Sequence, residues 1–195
     1  MYYQGIETEK DHKLAAEMYR KAADNGHLKA MFNLAVMYHK GDGVDRSNEE
    51  AIKLFSIAAK NGDNKSAVHL ADIYSREDGK YRDDEKAFLL YKQVADAGYP
   101  IAQHKVALMY KYGKGTKVDI EKAKDYLSKS AMQSCSEAQY TLGKMYLEGD
   151  GIAKDKKEAE DLLKEAYQNG KMEAKVILDQ EQWNVTPKGV TLPEE

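Results

Sequence analysis

Ala30-Met31-Phe32-Asn33-Leu34-Ala35-Val36-Met37-Tyr38-His39-Lys40-Gly41-Asp42-Gly43 decides the fold, because its pattern returns 108 residues later as Ala138-Gln139-Tyr140-Thr141-Leu142-Gly143-Lys144-Met145-Tyr146-Leu147-Glu148-Gly149-Asp150-Gly151. That distance is three steps of 36, and the intermediate steps are filled as well. Leu34, Leu70, Val106, Leu142 and Leu178 form one column, and Tyr2, Tyr38, Tyr74, Tyr110 and Tyr146 form another four residues on. Gly5, Gly41, Gly113 and Gly149 follow the tyrosines, with Gly43, Gly79, Gly115 and Gly151 close behind. A second apolar segment begins at Ala15, Ala51, Ala87, Ala123 and Ala159, and a turn glycine closes it at Gly26, Gly62, Gly98 and Gly170, with Ser134 breaking the column. A fixed period of this size marks a solenoid of stacked units, none of which buries its apolar face alone.

Each unit reads as helix A, a glycine loop, helix B and a short turn. Apolar residues at i, i+3 and i+4, such as Leu14, Ala15, Met18, Tyr19 and Ala22, mark the buried face of a B helix. Asp11, Ser47, Asp83, Asp119 and Asp155 stand where an N-cap side chain is wanted, and Glu50 and Glu158 three residues on complete capping boxes. The second unit has Glu77 in place of the first loop glycine, so its loop is expected to take another path. Pro100 suits the turn before a helix, where its missing N–H is not needed.

These signals predict an all-α chain with a solenoid domain over residues 1–181. It comprises a partial repeat at 1–29, full repeats at 30–65, 66–101, 102–137 and 138–173, and a final A helix at 174–181. A tail at 182–195 follows, in which Trp183 is expected to fold over the end of the last helix. Because the first helix before Tyr2 is missing, the expectation is a piece cut from a longer array. Taken as complete, the chain would be cytoplasmic; as a fragment, its location is open.

Composition removes several classes of function. The 33 acidic side chains nearly balance 30 lysines and arginines, for a formal charge of −3, which gives no basic footprint for nucleic acid. No apolar run is long enough to span a membrane. One cysteine, Cys135, excludes an intrachain disulfide framework. The five histidines lack metal-ligand spacing, and Gly113-Lys114-Gly115-Thr116-Lys117 follows a helix instead of a strand, unlike a phosphate loop. No cofactor or metal and no catalytic constellation is expected.

Taken together, Ala30 to Tyr38, Gly41-Asp42-Gly43-Val44, Ala51 with Phe55, Ala58-Ala59 and Gly62 resemble the Sel-one-like repeat (SLR), a relative of the tetratricopeptide repeat (TPR). The resemblance covers Tyr2 to about Gln180, and Glu77, Lys80 and Thr116 lie off its loop pattern. It implies a right-handed α/α superhelix whose A helices line a concave face, and a protein-binding adaptor or scaffold. A similar bacterial subgroup with paired cysteines in every repeat has been linked to β-lactam compounds, and the lone Cys135 places this chain outside it.

By that family geometry, the groove is lined by Lys29, Phe32, Val36, Lys40, Lys65, Val68, Arg76, His104, Leu108, Tyr112, Tyr140, Lys144 and Glu148. Exposed apolar groups among these mark an interaction site. Charge grades from basic at the N-terminal repeats to acidic at Glu137, Glu148 and Glu173, which would orient a bound peptide or helix with its acidic end towards the first repeats. Two alternatives accompany this reading. One is a groove pocket for a small molecule, or a weak hydrolase, with His104 and Tyr140 as its polar pair; the other is a secretion, envelope or immunity adaptor of a bacterium, which differs only in its partner.

Overall fold

The computed structural model describes residues 9–77 and 79–184, and all regular structure among them is helical. Ten helices run in chain order: α1 (Glu9–Asp24), α2 (Leu28–Lys40), α3 (Asn48–Lys60), α4 (Asn64–Ser75), α5 (Asp84–Asp96), α6 (Pro100–Tyr112), α7 (Ile120–Ala131), α8 (Ser136–Glu148), α9 (Lys156–Gln168) and α10 (Glu173–Gln180). Even numbers are the A helices and odd numbers the B helices. Tyr2, Gly5 and residues 185–195 lie outside the described residues.

The chain forms two compact units, one up to Leu90 and one from Tyr91 onward. In the first, Ala15, Ala16, Leu34 and Met37 form one core cluster and Ala35, Ala51, Phe55, Leu70 and Ile73 the next. In the second, Leu127, Leu142, Met145 and Leu162 lead one cluster and Leu163, Ala166, Ala174 and Leu178 another. The alanine columns explain themselves here. Ala35, Ala71, Ala107, Ala51, Ala87, Ala123 and Ala159 are all fully buried, where helix backbones approach too closely for anything larger. Gly143 replaces the A-helix alanine because a Cβ there would sit 2.9 Å from Leu163 Cγ.

Every loop between an A helix and the next B helix is locked by one backbone bond. The N–H groups of Ser47, Asp83, Asp119 and Asp155 donate to the carbonyls of Tyr38, Tyr74, Tyr110 and Tyr146 at 2.9 to 3.0 Å. This corrects the expected capping boxes. The Ser47 and Asp155 side chains do accept from the Glu50 and Glu158 N–H groups, but the N-cap amide is spoken for by tyrosine, and the Glu50 carboxylate pairs with Lys53 instead. A carbonyl left over at the end of helix A has met a donor left over at the start of helix B. Asp11 is a second correction: α1 already begins at Glu9, so Asp11 lies in its first turn.

The glycine column behaves as C-caps should. Gly41, Gly113 and Gly149 take left-handed φ of 78°, 66° and 72° and donate to Met37, Met109 and Met145. With no such glycine, α4 ends on Arg76 in an extended conformation, φ −68° and ψ 122°. Lys80 and Tyr81 then tie that loop back to the Glu49 carboxylate at the start of α3, and the tyrosine hydroxyl, followed by Glu49's own backbone N–H and then the lysine, holds that carboxyl down at about 2. Ser134 adopts φ 60° where its column calls for glycine.

Pro100 is the first residue of α6, with Tyr99 as N-cap. Met18 departs from the expected buried face and is 44% exposed. It holds the column of Leu54, Leu90, Tyr126 and Leu162, which face a preceding B helix, and no helix precedes α1 among the described residues. At the other end, Trp183 packs with Leu163, Ala166, Ala174 and Leu178, and its backbone N–H donates to the Leu178 carbonyl at 2.8 Å.

Within the second unit, one spacing recurs across the repeats. Tyr126 donates to Asp96, Ser130 to the Pro100 carbonyl, Gln133 to Gln103 and Asn169 to Gln139, each pair 30 residues apart. Gln103 and Gln139 are themselves buried and donate to the Ala95 and Ala131 carbonyls, so neither amide is left unsatisfied.

Candidate functional site

In the first unit, α2 and α4 carry six of the expected groove residues, and Arg76 caps α4. Lys29, Lys40 and Lys65 are exposed and have no carboxylate partner among the described residues. Arg76 is exposed too, at the end of α4. Val68 is half-buried. Phe32 and Val36 are half-buried for a structural reason. The Phe32 ring lies 5.2 Å from His69 and 5.9 Å from Phe55, and His69 stacks on Phe55 at 5.4 Å. Burial pushes the His69 pKa below its usual value.

In the second unit α6 and α8 hold the other six, three each. His104 Nε2 is 3.1 Å from the Thr141 hydroxyl, which donates its own proton to the Glu137 carbonyl at 2.8 Å. The histidine is therefore the donor of the pair, and it joins Thr141, not Tyr140. Tyr140 is half-buried between two ammonium groups, Lys144 at 5.9 Å and Lys171 at 5.5 Å from its ring centre. Lys171 in turn pairs with Glu137 at 2.8 Å and Glu173 at 3.2 Å, while Lys144 reaches Glu148 at 3.6 Å. Leu108 is half-buried. Tyr112 is 60% exposed under the Lys111 ammonium, which is held by Asp150 at 2.6 Å.

The acidic end of the expected charge gradient is thus largely neutralised by its own lysines, while Lys29, Lys40 and Lys65 of the first unit stay open. Two further exposed apolar groups lie on these A helices and were not singled out from sequence: Ile101, 65% exposed, and Val176, 59% exposed. Both were written in the repeat columns, Ile101 below Lys29 and Val176 below Phe32. What the columns did not announce is the 37-residue step that joins Phe32 to His69 and His104 to Thr141, and makes these side chains part of the seam between successive A helices.

Burial pushes the His104 pKa down, as for His69, so the folded state favours the neutral ring. The unfolded chain binds the proton more readily, and stability present above pH 6.5 is lost as pH falls through the lower folded value. Chemical denaturation between pH 7.5 and 5 is expected to show this loss, and His104→Gln to reduce it. An identical pH dependence in that variant would remove His104 as its source.

Among the described residues, no three His, Cys, Asp or Glu side chains gather where they would hold a metal ion. No described helix is long and apolar enough to cross a membrane.

The Sel1 repeat family model matches residues 1–27, 28–63, 65–99, 100–135 and 136–171. A Sel1 repeat protein of Oxalobacter formigenes is similar in structure, with a TM-score of 0.78 and 32% identity over 92% of this chain and 75% of that one. A protective antigen of uropathogenic Escherichia coli with an SLR fold superposes with a TM-score of 0.84 at 28% identity, covering 97% of this chain but 40% of that longer protein. An immunity protein from Pseudomonas aeruginosa shares the fold alone, at 21% identity and a TM-score of 0.54 over 89% of this chain and 67% of that one. No curated protein matches the chain. Sel1 repeats generally mediate protein–protein interaction. With its columns, helix pairs and loop locks repeated in step with that family model, the chain belongs to the Sel1 repeat family.

Proposed function

We propose that this protein is an adaptor that holds a peptide or helix of a partner protein against the groove-facing sides of its A helices. Each unit offers its own A-helix face, with Lys29, Phe32, Val36, Lys40, Lys65, Val68 and Arg76 on the first and His104, Leu108, Tyr112, Tyr140, Lys144 and Glu148 on the second. The observation that carries this reading is the exposure of Ile101, Tyr112 and Val176 on A helices whose other faces are packed. Apolar surface left in water along one face supports reading that face as a binding surface. Open lysines in the first unit favour a partner segment that carries carboxylates, with charge setting its orientation more than its affinity.

Affinity capture with the wild type and an Ile101→Ser, Tyr112→Ser, Val176→Ser variant tests the proposal. All three side chains are more than half exposed, so the variant is expected to keep its helicity. Apolar and aromatic anchors at the centre of an interface each contribute about 2 kcal/mol, so a partner held by this face is expected to be lost. Retention of every partner by the variant would move the binding surface elsewhere.

A further inference from the structure

The B helices carry a second surface, and it is built by a set of substitutions that the repeat itself makes visible. Between α7 and α9 lies a cavity of about 560 Å³, floored by Ala131, Leu142 and Leu162 and edged by Met132, Glu158 and Glu165. Hydroxyl and amide groups of Ser128, Ser134, Gln168 and Asn169 complete its wall, and no cation lines it. A space of this size exceeds the roughly 30 Å³ share of one water many times over.

One repeat earlier the same seam is bridged. There Tyr126 occupies the position of Leu162 and donates its hydroxyl to Asp96 at 2.5 Å, where Asp96 stands in the position of Met132. Lys92, in the position of Ser128, pairs with that same Asp96 at 2.5 Å. Lys122 and Lys129 hold the positions of Glu158 and Glu165, with the Lys129 ammonium 5.4 Å from the Tyr126 ring. The glutamines beneath are unchanged in type and in backbone partner, Gln103 donating to Ala95 and Gln139 to Ala131, and each accepts an amide from the same column, Gln133 in one repeat and Asn169 in the next. Ala131 and Gln139 keep their residue type one repeat earlier, and five of the changed positions decide whether the seam is bridged or open. A bridging phenol has become a shorter leucine, an internal ion pair has become methionine and serine, and two lysines have become two glutamates.

We propose that the α7–α9 cavity receives an arginine side chain of a partner protein. Leu162 and the 87%-exposed Met132 offer apolar surface for the hydrocarbon stem. Glu165, held through one oxygen by Gln139 Nε2 at 2.8 Å, and Glu158 offer carboxylates to the head group. A guanidinium fits better than an ammonium because its five donors spread over a plane, reach several separate acceptors and are weakly hydrated. This surface lies on B helices and does not depend on the A-helix reading above.

The test is a chemical-shift titration of the full chain with N-acetyl-arginine methylamide, and with the neutral isostere N-acetyl-citrulline methylamide. Arginine is expected to give saturable shifts confined to residues 128–134 and 158–169, and citrulline none. Glu158→Gln with Glu165→Gln is expected to raise Kd at least about tenfold, the worth of a charge-assisted bond. Met132→Asp with Leu162→Tyr, which rebuilds the bridge of the preceding repeat, is expected to abolish the response while the helices remain. Shifts that spread without saturating, an equal response to citrulline, or an unchanged Kd in the Gln pair would each overturn the assignment. The Ile101, Tyr112, Val176 variant is expected to bind the arginine probe like the wild type, which separates this site from the A-helix face.

Discussion

Gly43→Ala is expected to lower the stability of the fold by about 3 kcal/mol, a left-handed cost of about 1 to 2 combined with overpacking of about 1 to 3. Gly43 has φ 68°, and a Cβ built on it falls 2.4 Å from the carbonyl carbon of His12 and 2.8 Å from the Lys13 nitrogen. Those are backbone atoms of α1, which cannot swing aside as a side chain would. The His12 and Asp42 side chains are also joined at this place, so the loop has no room to retreat. Gly26→Ala is the matched control. Its φ of 84° carries the same conformational cost, but nothing lies within 4 Å of the added Cβ, and a loss near 1 kcal/mol is expected. Urea denaturation of the two variants measures the difference. Equal losses would mean that contact with α1 contributes nothing.

The second large effect is Phe55→Ala, with an expected loss of about 4 kcal/mol. Phe55 is fully buried on α3, its ring stacked on His69 and tilted against Phe32. Removing it leaves a void among Ala35, Ala51, Leu70 and Ile73, and the two alanines have no side-chain torsion by which to close it. His69 then loses the ring that shields it from water, so its pKa is expected to rise back towards the usual value of 6.5. A loss below about 1 kcal/mol on urea denaturation, together with an unmoved His69 titration, would show that this ring does not organise the first unit.

How far the sequence reached can be judged from single positions. Leu34, Ala35, Ala51 and Phe55 were legible as core because each sits in an environment that recurs every 36 residues, and an environment that recurs selects the same side chain each time. Ser47, Asp83, Asp119 and Asp155 were legible as caps for the same reason. The bond from each of their N–H groups to a tyrosine carbonyl was not, since any residue except proline can make it and it leaves no trace in residue type. The expected capping boxes failed on that point. Phe32 and His104 show the other limit. The family resemblance placed them on the groove face of the A helices, but whether a neighbouring helix covers them depends on the offset between repeats, which resolves into contacts only in three dimensions. The α7–α9 cavity sits between these cases. Every substitution that opens it stands in the sequence, at Ser128, Met132, Glu158, Leu162 and Glu165, yet positions 37 residues apart had to be brought side by side before they formed one wall.

The 30-residue spacing of the bonds from Tyr126, Ser130, Gln133 and Asn169 bears on how such a chain assembles in time. Forming each contact means closing a loop of one fixed size, so the entropy lost per step is the same wherever the step occurs. Contacts in a single compact core grow more distant along the chain as the protein lengthens, and folding slows with them. In this arrangement the loop size is set by the repeat and not by the number of repeats. A descendant that gains or loses a 36-residue unit keeps the same rate-limiting search, and length becomes a property that duplication can change without a kinetic penalty.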